Sequence, residues 1–118
     1  MQRMTTTMFH NPRCSKSRQA LEILQSRGIE PVVVHYLDTP PSHDELSDML
    51  RKLGLHPRDI IRSNETIYEE LGLGDTTLSD DQLIAAMAEN PILIERPIVV
   101  RGEKAVVARP PEAILDLI

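Results

Sequence analysis

Residues 5–36 read TTTMFHNPRCSKSRQALEILQSRGIEPVVVHY, and three signals in that run decide the fold. Thr5–Phe9 is β-prone. Ser17–Arg27 carries Ala20, Leu21, Ile23 and Leu24 on one broad face and stops at Gly28, which is the pattern of an amphipathic helix. Pro31–Tyr36 is a β-branched run long enough for one buried strand. A strand, a helix and a second strand form a βαβ unit, with parallel pairing and a right-handed crossover. The loop entering its helix, at the carboxyl end of the first strand, is where open α/β sheets usually place their sites. That loop holds the chain's one cysteine, Cys14.

Cys14 is expected at a helix N-terminus, where unpaired N–H groups and the helix dipole favour a thiolate. Arg13 and Lys16 flank it and add positive charge. A lone cysteine is more often a small buried hydrophobe, but a polar, basic turn is a poor place to bury one. Thiol-redox enzymes normally carry C-x-x-C at this corner. Here the run is Cys14-Ser15-Lys16-Ser17, so any redox cycle must borrow its other thiol from outside the chain. The hydroxyl of Ser17 is expected at most to donate a hydrogen bond to the thiolate.

Beyond Tyr36 the chain turns helical. Ser42-x-x-Glu45 is a capping box followed by Leu46, Met49, Leu50 and Leu53 at helical spacing, with Gly54 as the stop. Pro57–Arg62 reads as a short helical turn. Thr66-x-x-Glu69 opens another helix ending near Gly72, and Ser79-x-x-Gln82 caps a third that ends before Pro91. No strand signal interrupts residues 42–90. Strands return with Ile98–Val100 and Ala105–Val107, which flank a Gly102-containing hairpin turn. Pro110-Pro111 then starts a closing helix over Glu112–Leu117.

The expected fold is therefore α/β: one domain over residues 1–118, with an all-helical insertion at about 42–90. Without the insertion, βαβ followed by ββα remains, the thioredoxin arrangement. That arrangement places a cis proline before its third strand, facing the active-site cysteine, and Pro97 stands there. Cis X–Pro bonds are only about 5–6% of the total, so the expectation rests on the fold and not on the dipeptide.

Composition narrows the function classes. The 118 residues carry a net charge of -5, which argues against non-specific nucleic-acid binding. Phe9, Tyr36 and Tyr68 are the only aromatics, too few for a base-stacking platform. No stretch has the apolar length of a membrane span. Met1–Thr7 has no apolar core of the signal-peptide type, and a single cysteine fits a reducing cytosol. A cytoplasmic monomer is the expectation. His10, His35, His43 and His56 lie on separate elements without ligand spacing, so no metal is expected. His10, four residues before Cys14, is a candidate for orienting the loop or modulating the thiolate, and His35 for a structural role.

Arg62, Arg96 and Arg109 fall near expected element ends. Isolated arginines are usually solvated charges. Arg96 departs from that expectation because Pro97, facing Cys14, would bring its neighbour into the same cleft. Planar guanidinium groups converging on a thiolate lower its pKa and grip a tetrahedral oxyanion with paired hydrogen bonds. Such a site suits sulfur attack on an arsenate-like or phosphate-like centre.

The run His10-Asn11-Pro12-Arg13-Cys14-Ser15-Lys16-Ser17-Arg18 resembles the H-N-P-x-C-x-x-S-R signature of the glutaredoxin-linked arsenate reductases. The resemblance extends through His35-Tyr36-Leu37, Pro40-Pro41, Tyr68–Leu73, Asn90–Ile94, Arg96–Val100 and Arg109-Pro110, nearly the whole chain in order, and points to a short subgroup of that family. It implies a thioredoxin-like fold with a helical insertion, Cys14 as nucleophile, and Arg62, Arg96 and Arg109 as anion-binding residues. His10, Asn11, Ser17 and Pro97 are supporting candidates in the same motifs. The implied activity is arsenate reduction in arsenic detoxification. Glutathione serves as co-substrate, glutaredoxin as electron donor, and no cofactor is bound.

Two other readings stand beside it. One is a redox-related transcriptional regulator that binds RNA polymerase, although Ser17 removes the C-x-x-C switch such proteins use. The other is a glutathione-dependent thiol-disulfide reductase, which needs no anion clamp.

Overall fold

The computed structural model describes residues 5–118; the first four residues of Met1–Thr7, read above as lacking a signal-type apolar core, lie outside them. In chain order the elements are β1 (Thr6–His10), α1 (Ser15–Ser26), β2 (Val32–His35), α2 (His43–Leu53), α3 (Pro57–Ile60), α4 (Thr66–Glu70), α5 (Asp80–Glu89), β3 (Ile98–Arg101) and β4 (Lys104–Val107). Short 3-10 turns occupy Pro91–Leu93 and Pro111–Asp116. Two compact units result. One combines the chain up to Thr39 with Arg96–Ile118, and the other is Pro40–Glu95.

The first unit is a four-stranded sheet in the order β2-β1-β3-β4. β1 runs parallel to β2, with His10 opposite His35, and antiparallel to β3, with Met8 opposite Val99. β4 closes the hairpin with β3. Gly102 has φ +61° in the two-residue turn, where a positive φ favours a residue without a Cβ. Side chains alternate along a strand, so Thr6, Met8 and His10 share the buried face of β1 while Thr7 and Phe9 do not. Met8, Ala20, Leu24, Val99, Ala108 and Ile114 form the core beneath that face. This is the expected thioredoxin-like arrangement, and the Arg96–Pro97 bond is cis, as is Arg109–Pro110.

Helix α1 begins at Ser15, two residues earlier than its apolar periodicity indicates, with Cys14 as its N-cap. It ends in a Schellman turn: Ile29 N–H donates to the Leu24 carbonyl (2.9 Å) and Gly28 N–H to that of Gln25 (3.0 Å). Gly28 takes the left-handed conformation the turn requires, φ +74°.

The second unit, Pro40–Glu95, is helical. Both Ser42/Glu45 and Ser79/Gln82 form reciprocal capping boxes. Leu46, Met49, Leu50, Ile60, Leu83, Met87, Leu93 and Ile94 are buried. Helix α4 opens at Thr66, where the sequence placed its start, with Glu65 as the N-cap residue and its carbonyl accepting from Tyr68 N–H at 3.0 Å. One isolated antiparallel bridge, Ile61 to Ile94, ties the segment after α3 to the chain leaving the Pro91–Leu93 turn.

The closing segment of the first unit is a 3-10 helix over Pro111–Asp116 in place of an α-helix over Glu112–Leu117. Six residues make fewer than two α-turns, and the prolines remove N–H donors at the start. The tighter i→i+3 pattern needs less length, and Ala113 and Leu117 donate to Pro110 and Ile114 at 3.0 Å each. Among the described residues no helix is long and apolar enough to cross a membrane.

Candidate functional site

The loop from β1 to α1 is a dense set of short bonds. Arg13 N–H donates to Asn11 Oδ1 (3.0 Å) and Cys14 N–H to the Asn11 carbonyl (3.0 Å). The Arg18 guanidinium, one helical turn beyond Cys14, donates to the Pro12 carbonyl (2.8 Å). Asn11 N–H donates to Ser17 Oγ (3.1 Å), and the same oxygen lies 2.6 Å from His10 Nδ1. Ser17 and His10 are both buried. His10 is therefore connected to the loop, through Ser17 and not through the sulfur.

This corrects the expectation for Ser17. Its hydroxyl is engaged by His10 and Asn11, and its contribution to the thiolate comes from its backbone N–H. Burial raises the Cys14 pKa. The Ser17 N–H, a hydrogen bond from Arg96, the Lys16 N–H and the Arg96 charge outweigh it, so the thiol lies below its ordinary value. Lys16 thus acts through its backbone, as a helix N-terminus does, and not through the ammonium that the sequence suggested.

Arg109 arrives from the end of β4. Its Nη1 lies 3.8 Å from Cys14 Sγ and donates to the Arg96 carbonyl at 3.3 Å. Pro97 anchors the neighbouring segment by accepting from Ala108 N–H (2.9 Å). The sheet unit therefore gathers Cys14, Arg96 and Arg109, a sulfur facing two guanidinium groups. Such a corner favours a thiolate and offers planar donors to an oxyanion.

Arg62 lies in the helical unit. Its backbone N–H donates to the Leu93 carbonyl (2.7 Å), and its guanidinium pairs with Glu65 (3.2 Å) and Glu95 (2.9 Å). Of the histidines, the His35 ring stands 5.9 Å from that of His10, His43 starts α2 and His56 caps α3. Burial, then His35 and then Arg18 hold the His10 pKa below its usual value. Among the described residues no group of three or more His, Cys, Asp or Glu side chains is arranged to hold a metal. Sequence reasoning placed Arg18 in the quoted run but gave it no role. Its spacing of four from Cys14, on a helix starting at the loop, is the signal that would have found it.

A sequence profile of the ArsC family matches residues 9–117. An arsenate reductase of Neisseria meningitidis is 53% identical over 108 residues, covering 91% of this chain and 92% of its own. The uncharacterized protein YfgD of Escherichia coli strain K12 is 49% identical over 112 residues, 94% of each chain. A solved structure of an arsenate reductase from Vibrio cholerae superposes with a TM-score of 0.95 at 50% identity, covering 99% of this chain and all of that one. A fold shared at that level, with the motif around Cys14 inside the matched span, makes the chain a member of the ArsC family.

Proposed function

We propose that this protein is an arsenate reductase that uses Cys14 as its single nucleophile and takes its electrons from glutathione and glutaredoxin. The observation that carries the reading is the corner just described: a sulfur at the N-terminus of α1, its thiol shifted toward the thiolate, facing Arg96 and Arg109. The arsenate reductases among its relatives supply the substrate. Arg62 enters the proposal on the motif alone.

Arsenate is a tetrahedral oxyanion, and two guanidinium groups offer it planar, charge-assisted hydrogen bonds. The Cys14 thiolate forms an S–As bond while one arsenic-bound hydroxyl takes up a proton and leaves as water. A glutathione thiol displaces a second hydroxyl as water and forms another S–As bond. Attack by a glutaredoxin thiolate on the glutathione sulfur makes an S–S bond and leaves the electron pair on arsenic, reducing As(V) to As(III). Hydrolysis of the Cys14–As(III) bond releases arsenite and restores the thiol. Two external thiols end as one disulfide, which is the stoichiometry a chain with one cysteine needs.

The test is conversion of arsenate to arsenite by the purified chain with glutathione and glutaredoxin, beside Cys14→Ser. Activity confined to the parent is expected, since a hydroxyl is a far weaker nucleophile at neutral pH. Equal turnover in both proteins, or reduction of mixed disulfides but not arsenate by the parent, would overturn the reading.

A further inference from the structure

A cleft of about 340 Å³ borders the loop that leads into Cys14, lined by His10, Asn11, Arg13, His35, Leu37 and Asp38 among others. We propose that this cleft binds the small external thiol, taking its carboxylate on Arg13 and His35 and its ammonium group on Asp38. The proposal rests on the reading that an external thiol is consumed, and it names where that thiol docks.

Three features support it. The first is size. Ligand pockets begin near 300 Å³, and a water's share of the liquid is about 30 Å³, so the cleft is far too roomy for a single tetrahedral oxyanion and suits a short peptide. The second is unused charge. Among the described residues, the side chains of Arg13, His35 and Asp38 make no hydrogen bond or ion pair, although all three face one cleft. Cationic and anionic groups together match a ligand that carries both signs, as an amino-acid thiol does. Leu37, 42% exposed, adds apolar surface for its methylene groups.

Position is the third. Arg13 directly precedes Cys14, so their Cα atoms are about 3.8 Å apart. The bond from Cys14 N–H to the Asn11 carbonyl ties the sulfur's residue to the cleft wall. A tripeptide spans roughly 10 Å when extended, enough to leave its thiol at the sulfur while its carboxylate rests on Arg13.

The direct test titrates S-methylglutathione, which has no free thiol, into the full chain and follows the ring resonances of His10 and His35. Saturable shifts are expected, with binding about tenfold weaker in Arg13→Gln and Asp38→Asn and restored toward the parent by Arg13→Lys, as loss of one charge-assisted bond implies. Cysteamine, which lacks the carboxylate, should leave the rings unmoved. In turnover, Arg13→Gln should raise KM for glutathione about tenfold and leave KM for arsenate where it was. Absence of saturable shifts, or an unchanged KM for glutathione in an active Arg13→Gln enzyme, would overturn the site while leaving arsenate reduction intact. Saturable shifts in a protein that reduces no arsenate would uphold the site and remove the reaction.

Discussion

Replacing Ser17 with alanine removes one oxygen from a fully buried position and strands two partners at once. Ser17 Oγ lies 2.6 Å from His10 Nδ1 and 3.1 Å from the Asn11 nitrogen. Asn11 is half-buried and can recover a water, whereas His10, only 5% exposed, has little access to one. A buried polar group left unsatisfied costs about 1–3 kcal/mol. With the Asn11 loss mostly offset by solvent, the expected destabilisation is about 2 kcal/mol. For a chain of 118 residues, 1 kcal/mol corresponds to roughly 4 °C in Tm, so Ser17→Ala should melt about 8 °C lower. Calorimetry at pH 7 measures this. A double-mutant cycle with His10→Ala should show coupling of at least about 1 kcal/mol, because either substitution alone ends the same bond. The Ser17 backbone N–H survives, so the Cys14 thiol should remain below its ordinary pKa in the variant. A Tm drop under about 2 °C, or additive single effects, would refute the reasoning and return Ser17 to a peripheral role.

Other consequences can be checked the same way. The rate of Cys14 alkylation against pH should have its midpoint below the free-thiol value of about 8.5; Arg96→Gln should move it upward, whereas Lys16→Gln should barely move it, since Lys16 acts through its backbone. Arg96→Lys and Arg109→Lys keep the charge but lose the planar fork, and each should lower kcat/KM for arsenate roughly ten- to a hundredfold, the equivalent of about 1.5–3 kcal/mol, with phosphate or sulfate competing in the parent. His10 is held below its unfolded pKa of about 6.5, so the unfolded chain binds the extra proton first and stability falls as pH drops through about 6.5 toward the folded value. The slope from this group cannot exceed about 1.4 kcal/mol per pH unit. Chemical denaturation between pH 5 and 7 should show that component in the parent and not in His10→Asn, and identical profiles would contradict it.

The parts of this molecule that could be read from its sequence are those governed by near neighbours. Helix α1 and strand β2 follow from the apolar spacing of Ala20–Leu24 and the Val32–Val34 run. The Ser42 and Ser79 capping boxes close rings only three residues long, so the sequence that encodes them also contains every atom involved. Cys14 at a helix N-terminus was legible for the same reason. Tertiary structure decided how that sulfur is surrounded. Arg109 reaches Cys14 across 95 positions, a meeting that exists only because β1 pairs with β3 and β3 with β4. The burial of His10 depends on the face of β1 that it shares with Met8, and only the folded chain shows that Ser17 Oγ, seven positions on, pairs with its imidazole. Local pattern lists the donors and acceptors near a reactive atom, but which of them have been claimed elsewhere depends on which face of the sheet is dry.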